Sequence, residues 1–185
     1  MPISLCAVQG DDSAPAPESL AYSLTLPAAL RSPAIARAAT RTVLVAHGLG
    51  ALVDPAEQAV GELVAVACRF TPAAKVYLSL RHRDRALRVI VYDGHPRHTN
   101  LHLAAACDTR RRASLRLLGC VVRACEGDWG FGEAREPGGG TRMWAVLPCG
   151  GGTSAWGHQA SEPIVEAREH FAEFRTHAAR ALGGG

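Results

Sequence analysis

Four side chains with metal-ligand chemistry fall close together at His95, His98, His102 and Cys107. Imidazole nitrogen and thiolate sulfur are both good zinc ligands. The intervals between them hold two, three and four residues, a spacing that matches no closed zinc module. A chain with eight histidines also produces such a group by chance. A zinc-binding regulator and an ordinary polar loop therefore both stand as readings. Just upstream, Asp93-Gly94-His95-Pro96 is a turn signal, in which an aspartate is unremarkable. Arg110, Arg111 and Arg112 form a basic run that meets either solvent or phosphate. Glu62 is a lone carboxylate on an apolar stretch, where a solvated edge is the plain reading. The six cysteines, Cys6, Cys68, Cys107, Cys120, Cys125 and Cys149, contain no CxxC pair. They read as reduced thiols, mostly small buried hydrophobes, rather than as a disulfide framework.

The elements that must position these groups follow from periodicity and punctuation. Residues 1–20 hold Asp11, Asp12, Pro15 and Pro17 among small residues and read as a loose leader. Residues 22–26 alternate as a strand stopped by Pro27. Ser32-Pro33 starts a first helix, with Ser32 as capping hydroxyl and an apolar stripe of Ile35, Ala38, Ala39, Thr42, Val43 and Ala46. Asp54-Pro55-Ala56-Glu57 starts a second, with Asp54 as cap and Glu57 placed for a capping box. Its stripe is Ala56, Ala59, Val60, Leu63, Val64 and Ala67. Val76, Leu78 and Leu80, then Leu87, Val89 and Val91, make a hairpin with a charged tip at Arg81 to Arg85. Residues 97–112 read as a long polar loop with one helical turn. Helical period returns over 113–125. Trp129 to Phe131 and Arg142 to Leu147 form another strand pair, connected through Gly138-Gly139-Gly140. A glycine-rich linker over 149–160 precedes an amphipathic helix over 161–185, with Ile164, Ala167, Phe171, Phe174, Ala178 and Ala181 on one stripe. The order of elements predicts an α+β fold, a two-layer sandwich with a mostly antiparallel sheet and helices on one face.

Composition bounds the rest. A chain of 185 residues is one domain with room for a tail. Apolar residues at 48% against 20% charged permit a packed core, and 5% aromatics make that core mostly Ala, Val and Leu. No apolar run approaches the roughly 18 residues of a membrane span. The N-terminus lacks the basic and apolar regions of a secretory signal. These features predict a cytoplasmic protein. A net charge of +3 is too mild to argue for nucleic acid or an anionic membrane. Lys75 is the only lysine, a bias that reads as codon composition.

The run Glu62-Leu-Val-Ala-Val-Ala-Cys-Arg-Phe-Thr71 resembles the N-box helix of GHKL-type ATPases. The similarity is to the anti-sigma-factor serine/threonine kinases and their small actinobacterial relatives. Leu87-Arg-Val-Ile-Val-Tyr-Asp93, followed by Gly-His-Pro96, resembles the family's adenine-binding strand and turn. Leu115-Arg-Leu-Leu, Asp128-Trp129-Gly130 and Gly140-Thr-Arg-Met-Trp144-Ala-Val-Leu147 resemble its lid helix and closing strands. The resemblance covers residues 20–148 and implies a Bergerat-like, histidine-kinase-type ATPase domain. It implies Glu62 as general base and Asp93 as acceptor for the adenine amino group. Gly94 would belong to the turn beside the base, and Thr141 would support the adenine contact. Arg112 and Ser114 fall where the lid meets phosphate.

Two positions depart from that pattern. Val66 stands where the family has its magnesium-ligand asparagine, and a methyl group offers no oxygen to a hard ion. Arg111-Arg112-Ala113-Ser114 stands where a glycine-rich cradle is expected, so backbone N–H groups cannot close on phosphates as freely. ATP is thus an expected ligand and magnesium a doubtful one. The resemblance implies a regulator of transcription with an eroded site, acting through a sigma factor or an anti-sigma antagonist, with a homodimer as a further option. An active kinase or ATPase with a rearranged metal site is one alternative. A protein-interaction module without nucleotide is the other.

Overall fold

The computed structural model describes residues 14–96, 98–134 and 140–150. Its strands are β1 (Ala21–Pro27), β2 (Lys75–Arg83), β3 (Ala86–Asp93), β4 (Asp128–Glu133) and β5 (Thr141–Pro148). Its α-helices are α1 (Ser32–Ala46), α2 (Val53–Phe70), α3 (Leu101–Ser114) and α4 (Arg116–Ala124). The strands form one sheet in the order β1-β2-β3-β5-β4. Every neighbouring pair runs antiparallel. The architecture is an α+β two-layer sandwich.

Register builds the core. Leu78 faces Val91, which faces Met143; Leu80 faces Val89, which faces Ala145; Leu87 faces Leu147. With a side-chain period of two, these residues share one face. They form a single apolar cluster with Val60, Leu63, Val64 and Ala67 of α2 and Leu118 and Val122 of α4. The stripe predicted for α2 is buried in full. The hairpin turn is tighter than predicted, because β2 and β3 run on to Asp84 and Arg85. Both adopt positive φ, 55° and 56°, as a two-residue turn matched to strand twist requires.

Other expectations are corrected. In α1 the buried row is Ser32, Ala36, Thr40 and Leu44, whereas Ile35, Ala38, Thr42 and Ala46 face outward. Small residues spaced by four let α1 lie close on α2, and that contact outweighs the larger side chain of Ile35. Ser32 does not cap its helix. Its hydroxyl donates to the Pro27 carbonyl at 2.6 Å, tying α1 to β1. Asp54 is likewise no cap, since α2 begins at Val53 behind a 3-10 turn, Gly50–Leu52. Glu57 pairs across to Arg41 of α1 through two hydrogen bonds, 2.8 and 2.6 Å.

The largest correction concerns residues 97–112, predicted as a loop. A helix of 14 residues, α3, occupies most of that stretch. Asn100 caps it, its Oδ1 accepting from the N–H groups of His102 at 2.9 Å and Leu103 at 3.2 Å. Only Arg111 of this helix is buried, so no apolar stripe announced it.

The leader also ends earlier than residue 20. Leu20 is buried, and its carbonyl accepts from the His82 N–H at 3.0 Å. His47 Nδ1 lies 2.9 Å from the Ala16 carbonyl. Residues 1–13 of the predicted leader, most of the linker and the whole C-terminal stripe lie outside the described residues. Cys68, Cys107, Cys120, Cys125 and Cys149 are free thiols. Among the described residues no helix is long and apolar enough to cross a membrane.

Candidate functional site

Three segments converge at the end of β3: the turn that follows it, the C-terminal part of α3, and the start of β5. Asp93 is the last residue of β3 and is paired in register with Thr141. Its Oδ2 accepts from Arg111 Nη1 at 2.7 Å, and both side chains are sealed from solvent. Its Oδ1 accepts from the backbone N–H of His95 at 2.9 Å. The carboxylate is thus satisfied from both sides by its own chain. Burial pushes the Asp93 carboxyl above its ordinary value, while Arg111 and the His95 N–H pull it back. Desolvation is the larger effect, as expected where a charge leaves water.

Arg111 is held by more than its ion pair. Its guanidinium carbon sits 4.4 Å from the centre of the Phe70 ring, at the end of α2. Its Nη1 is 3.2 Å from the Met143 sulfur of β5. A cation against an aromatic face in a desolvated place is favourable by about 2 kcal/mol. Arg111 Nη2 finds no hydrogen-bond acceptor among the described residues. Arg111 therefore plugs the space between α2, β3 and β5.

The other expected site residues fall around this plug or away from it. The Gly94 N–H donates to Thr71 Oγ1 at 3.0 Å. Thr141 Oγ1 donates to the His95 carbonyl at 3.4 Å. Asp93, Gly94 and Thr141 are therefore neighbours at the end of β3. Arg112 is exposed, its guanidinium 5.4 Å from the Phe131 ring centre. Ser114 turns its hydroxyl back onto the Arg110 carbonyl at 3.0 Å. Residues 111–114 form the end of α3, where N–H groups are consumed within the helix rather than offered to an anion. Val66 is buried in the core and Glu62 is half-buried on α2. Neither lines the cleft described next.

A cleft of about 100 Å³ opens between the turn, α3 and β4. Pockets that take drug-sized ligands run to roughly 300–1,000 Å³. Arg111 and Thr141 line the cleft together with His95, His98 and Cys107. Those last three gather their ligand atoms within 4.8 Å of one another. His102, the fourth member of the sequence group, is exposed on the first turn of α3 and stands apart from them.

Sequence reasoning missed the partner of Asp93. Arg111 was one of three equivalent arginines in a run. The available signal was the spacing Cys107 to Arg111, four residues on a helix, which needs α3 to be recognised first. Asn100 as a cap was the cue for that helix. No protein-family model matches the chain, and no curated protein matches it.

Proposed function

We propose that this chain is a non-catalytic regulatory domain that acts through contact with a protein partner, with a nucleotide site of the GHKL type filled by its own Arg111. The buried Arg111–Asp93 pair carries this reading. The acceptor that would receive an adenine amino group is occupied by a guanidinium at 2.7 Å. Displacing Arg111 would leave the buried Asp93 carboxylate without its counter-charge, which costs several kcal/mol. A neutral amino group cannot return that, since an ordinary hydrogen bond contributes about 1 kcal/mol net. Val66 and the helical end of α3 agree with the same reading, because position 66 offers magnesium no oxygen and positions 111–114 offer no glycine cradle.

The partner half of the reading rests on α1 and the residues before it. Leu30 is fully exposed, and Ile35 and Val45 are 52% and 60% exposed. Together with the resemblance, these favour a sigma factor or an anti-sigma antagonist as the kind of protein bound. A thermal-shift series tests the proposal, because a ligand that binds only the native state raises the melting temperature. ATP, ADP and magnesium should leave it unchanged, and a purified partner of this class should raise it. The Ile35→Asp variant should lose the partner effect. A nucleotide-dependent rise that requires Asp93 would overturn the reading.

A further inference from the structure

We infer that His95, His98 and Cys107 form a zinc site with three protein ligands and a fourth position open to the cleft. His95 Nε2 lies 3.3 Å from His98 Nε2 and 3.1 Å from Cys107 Sγ. Tetrahedral zinc, with Zn–N of about 2.0–2.1 Å and Zn–S of about 2.3 Å, sets two nitrogens about 3.3 Å apart and nitrogen from sulfur about 3.6 Å. The nitrogen pair already has that separation. The Cys107 sulfur is roughly half an ångström nearer His95 than a shared zinc would set it, and it lies within 4.8 Å of the His98 ligand nitrogen.

The supporting contacts are those a metal ligand needs. His95 Nδ1 is 3.1 Å from the Phe70 carbonyl oxygen. That oxygen can only accept, so Nδ1 carries the proton and Nε2 keeps its lone pair for the metal. The His95 main chain is fixed as well, its N–H on Asp93 and its carbonyl under the Thr141 hydroxyl. The Phe70 ring meets the His95 ring edge-on, with centroids 6.0 Å apart. With zinc, all three lone pairs have a single acceptor, and the Cys107 proton leaves to solvent. A two-histidine, one-cysteine set also suits copper when a thioether completes it. The Met143 sulfur is turned to Arg111 instead, which favours zinc.

The site would staple the segments that the ion pair already joins. His95 is two residues beyond Asp93, and Cys107 is one helical turn before Arg111. A metal across His95 and Cys107 therefore holds α3 against the β3 end and keeps Arg111 in its seat. This inference is independent of the partner reading, since it requires no partner and no nucleotide.

The test uses the full chain, reduced, stripped with chelator and titrated with Co²⁺ under exclusion of oxygen. One equivalent should produce a thiolate-to-cobalt charge-transfer band and tetrahedral visible bands, both displaced by Zn²⁺. Cys107→Ser should abolish the charge-transfer band, and His98→Ala should weaken binding at least tenfold. His102→Ala should bind as wild type does. Zn²⁺ should raise the melting temperature of wild type and not of Cys107→Ser. Circular dichroism checks that Cys107→Ser is folded; if it is not, His98→Ala on the half-buried turn carries the comparison. Absence of a one-equivalent thiolate band would overturn the site, and so would a band that survives both ligand replacements, which would place the metal on other cysteines.

Discussion

Arg111 and Asp93 stand 18 residues apart in sequence and 2.7 Å apart in space, with side-chain exposures of 1% and 0%. The pairs Arg41–Asp54, Arg41–Glu57, Arg83–Asp84 and Arg88–Asp84 each include an arginine that is at least 30% exposed. Exposed pairs contribute little to stability. A sealed pair differs, because removing either partner leaves the other charged and dry. The turn after β3 and the end of α3 are thereby locked together at the position the resemblance assigns to adenine.

Arg111→Met should therefore destabilise the domain by about 3–5 kcal/mol. The Asp93→Asn, Arg111→Met double variant should recover much of that, because no stranded charge remains. Chemical denaturation of the three proteins checks the coupling. Equal losses in the single and double variants would contradict the pair.

A pH signature accompanies that variant. Burial already raises the Asp93 carboxyl, and Arg111 is the main influence lowering it. Without the guanidinium the folded-state value climbs further. The folded protein then holds that proton more tightly than the unfolded chain does. The contribution is fully present below the ordinary carboxylate value and is lost as pH rises through the raised one. The melting temperature of Arg111→Met, relative to wild type, should therefore fall as pH rises from the ordinary carboxylate range through the raised value. A deficit that does not change with pH would mean that Asp93 is not the group left exposed to burial.

Val66→Asn should lower stability by about 1–3 kcal/mol, since an amide would replace a methyl pair in an apolar core without a partner. Val66 is 3% exposed among core residues of α2. The variant should not acquire magnesium-dependent ATP binding. A gain of such binding would restore the eroded-site reading.

Gly140→Ala should destabilise by about 1–3 kcal/mol. Gly140 has φ of +112°, and a Cβ there would stand 2.6 Å from the Asp93 carbonyl oxygen. Both the strain and the clash fall on the strand end that presents Asp93. A thermal melt within error of wild type would contradict this.

Asn100→Ala should cost roughly 0.5–2 kcal/mol through loss of the cap. Helix α3 buries only Arg111, so its N-terminus depends on local hydrogen bonds more than on packing. The same variant should speed amide exchange across α3. Unchanged exchange there would show that the helix is held by other contacts.

The sheet and α2 were legible because their apolar residues repeat at periods of 2 and 3.6. Leu78, Leu80, Val89 and Val91, and the row from Ala56 to Ala67, lie where those periods put them. In α1 the period was right and the face was partly wrong: Ala39 and Val43 are half-buried, while Ile35, Ala38, Thr42 and Ala46 face outward. Ile35 is the largest apolar side chain near the start of the helix, yet the buried row runs through Ala36 and Thr40. Helix α3 was hidden because a polar helix has no stripe to read, and its cap was one residue among many polar ones. Asp93, Gly94 and Thr141 were singled out through the resemblance alone, and the β3–β5 register sets them side by side. The pairing of Asp93 with Arg111 was not, because it depends on a helix bringing position 111 back to a strand end. The metal-ligand group was visible as composition. Only the turn after β3 and the face of α3 separate His95, His98 and Cys107 from His102.

If Arg111 holds the place of a nucleotide, calorimetric titration of the full chain with ATP, with and without magnesium, should show no heat beyond dilution at millimolar ATP in either condition. Saturable binding in the micromolar range that is lost in Asp93→Asn would contradict it.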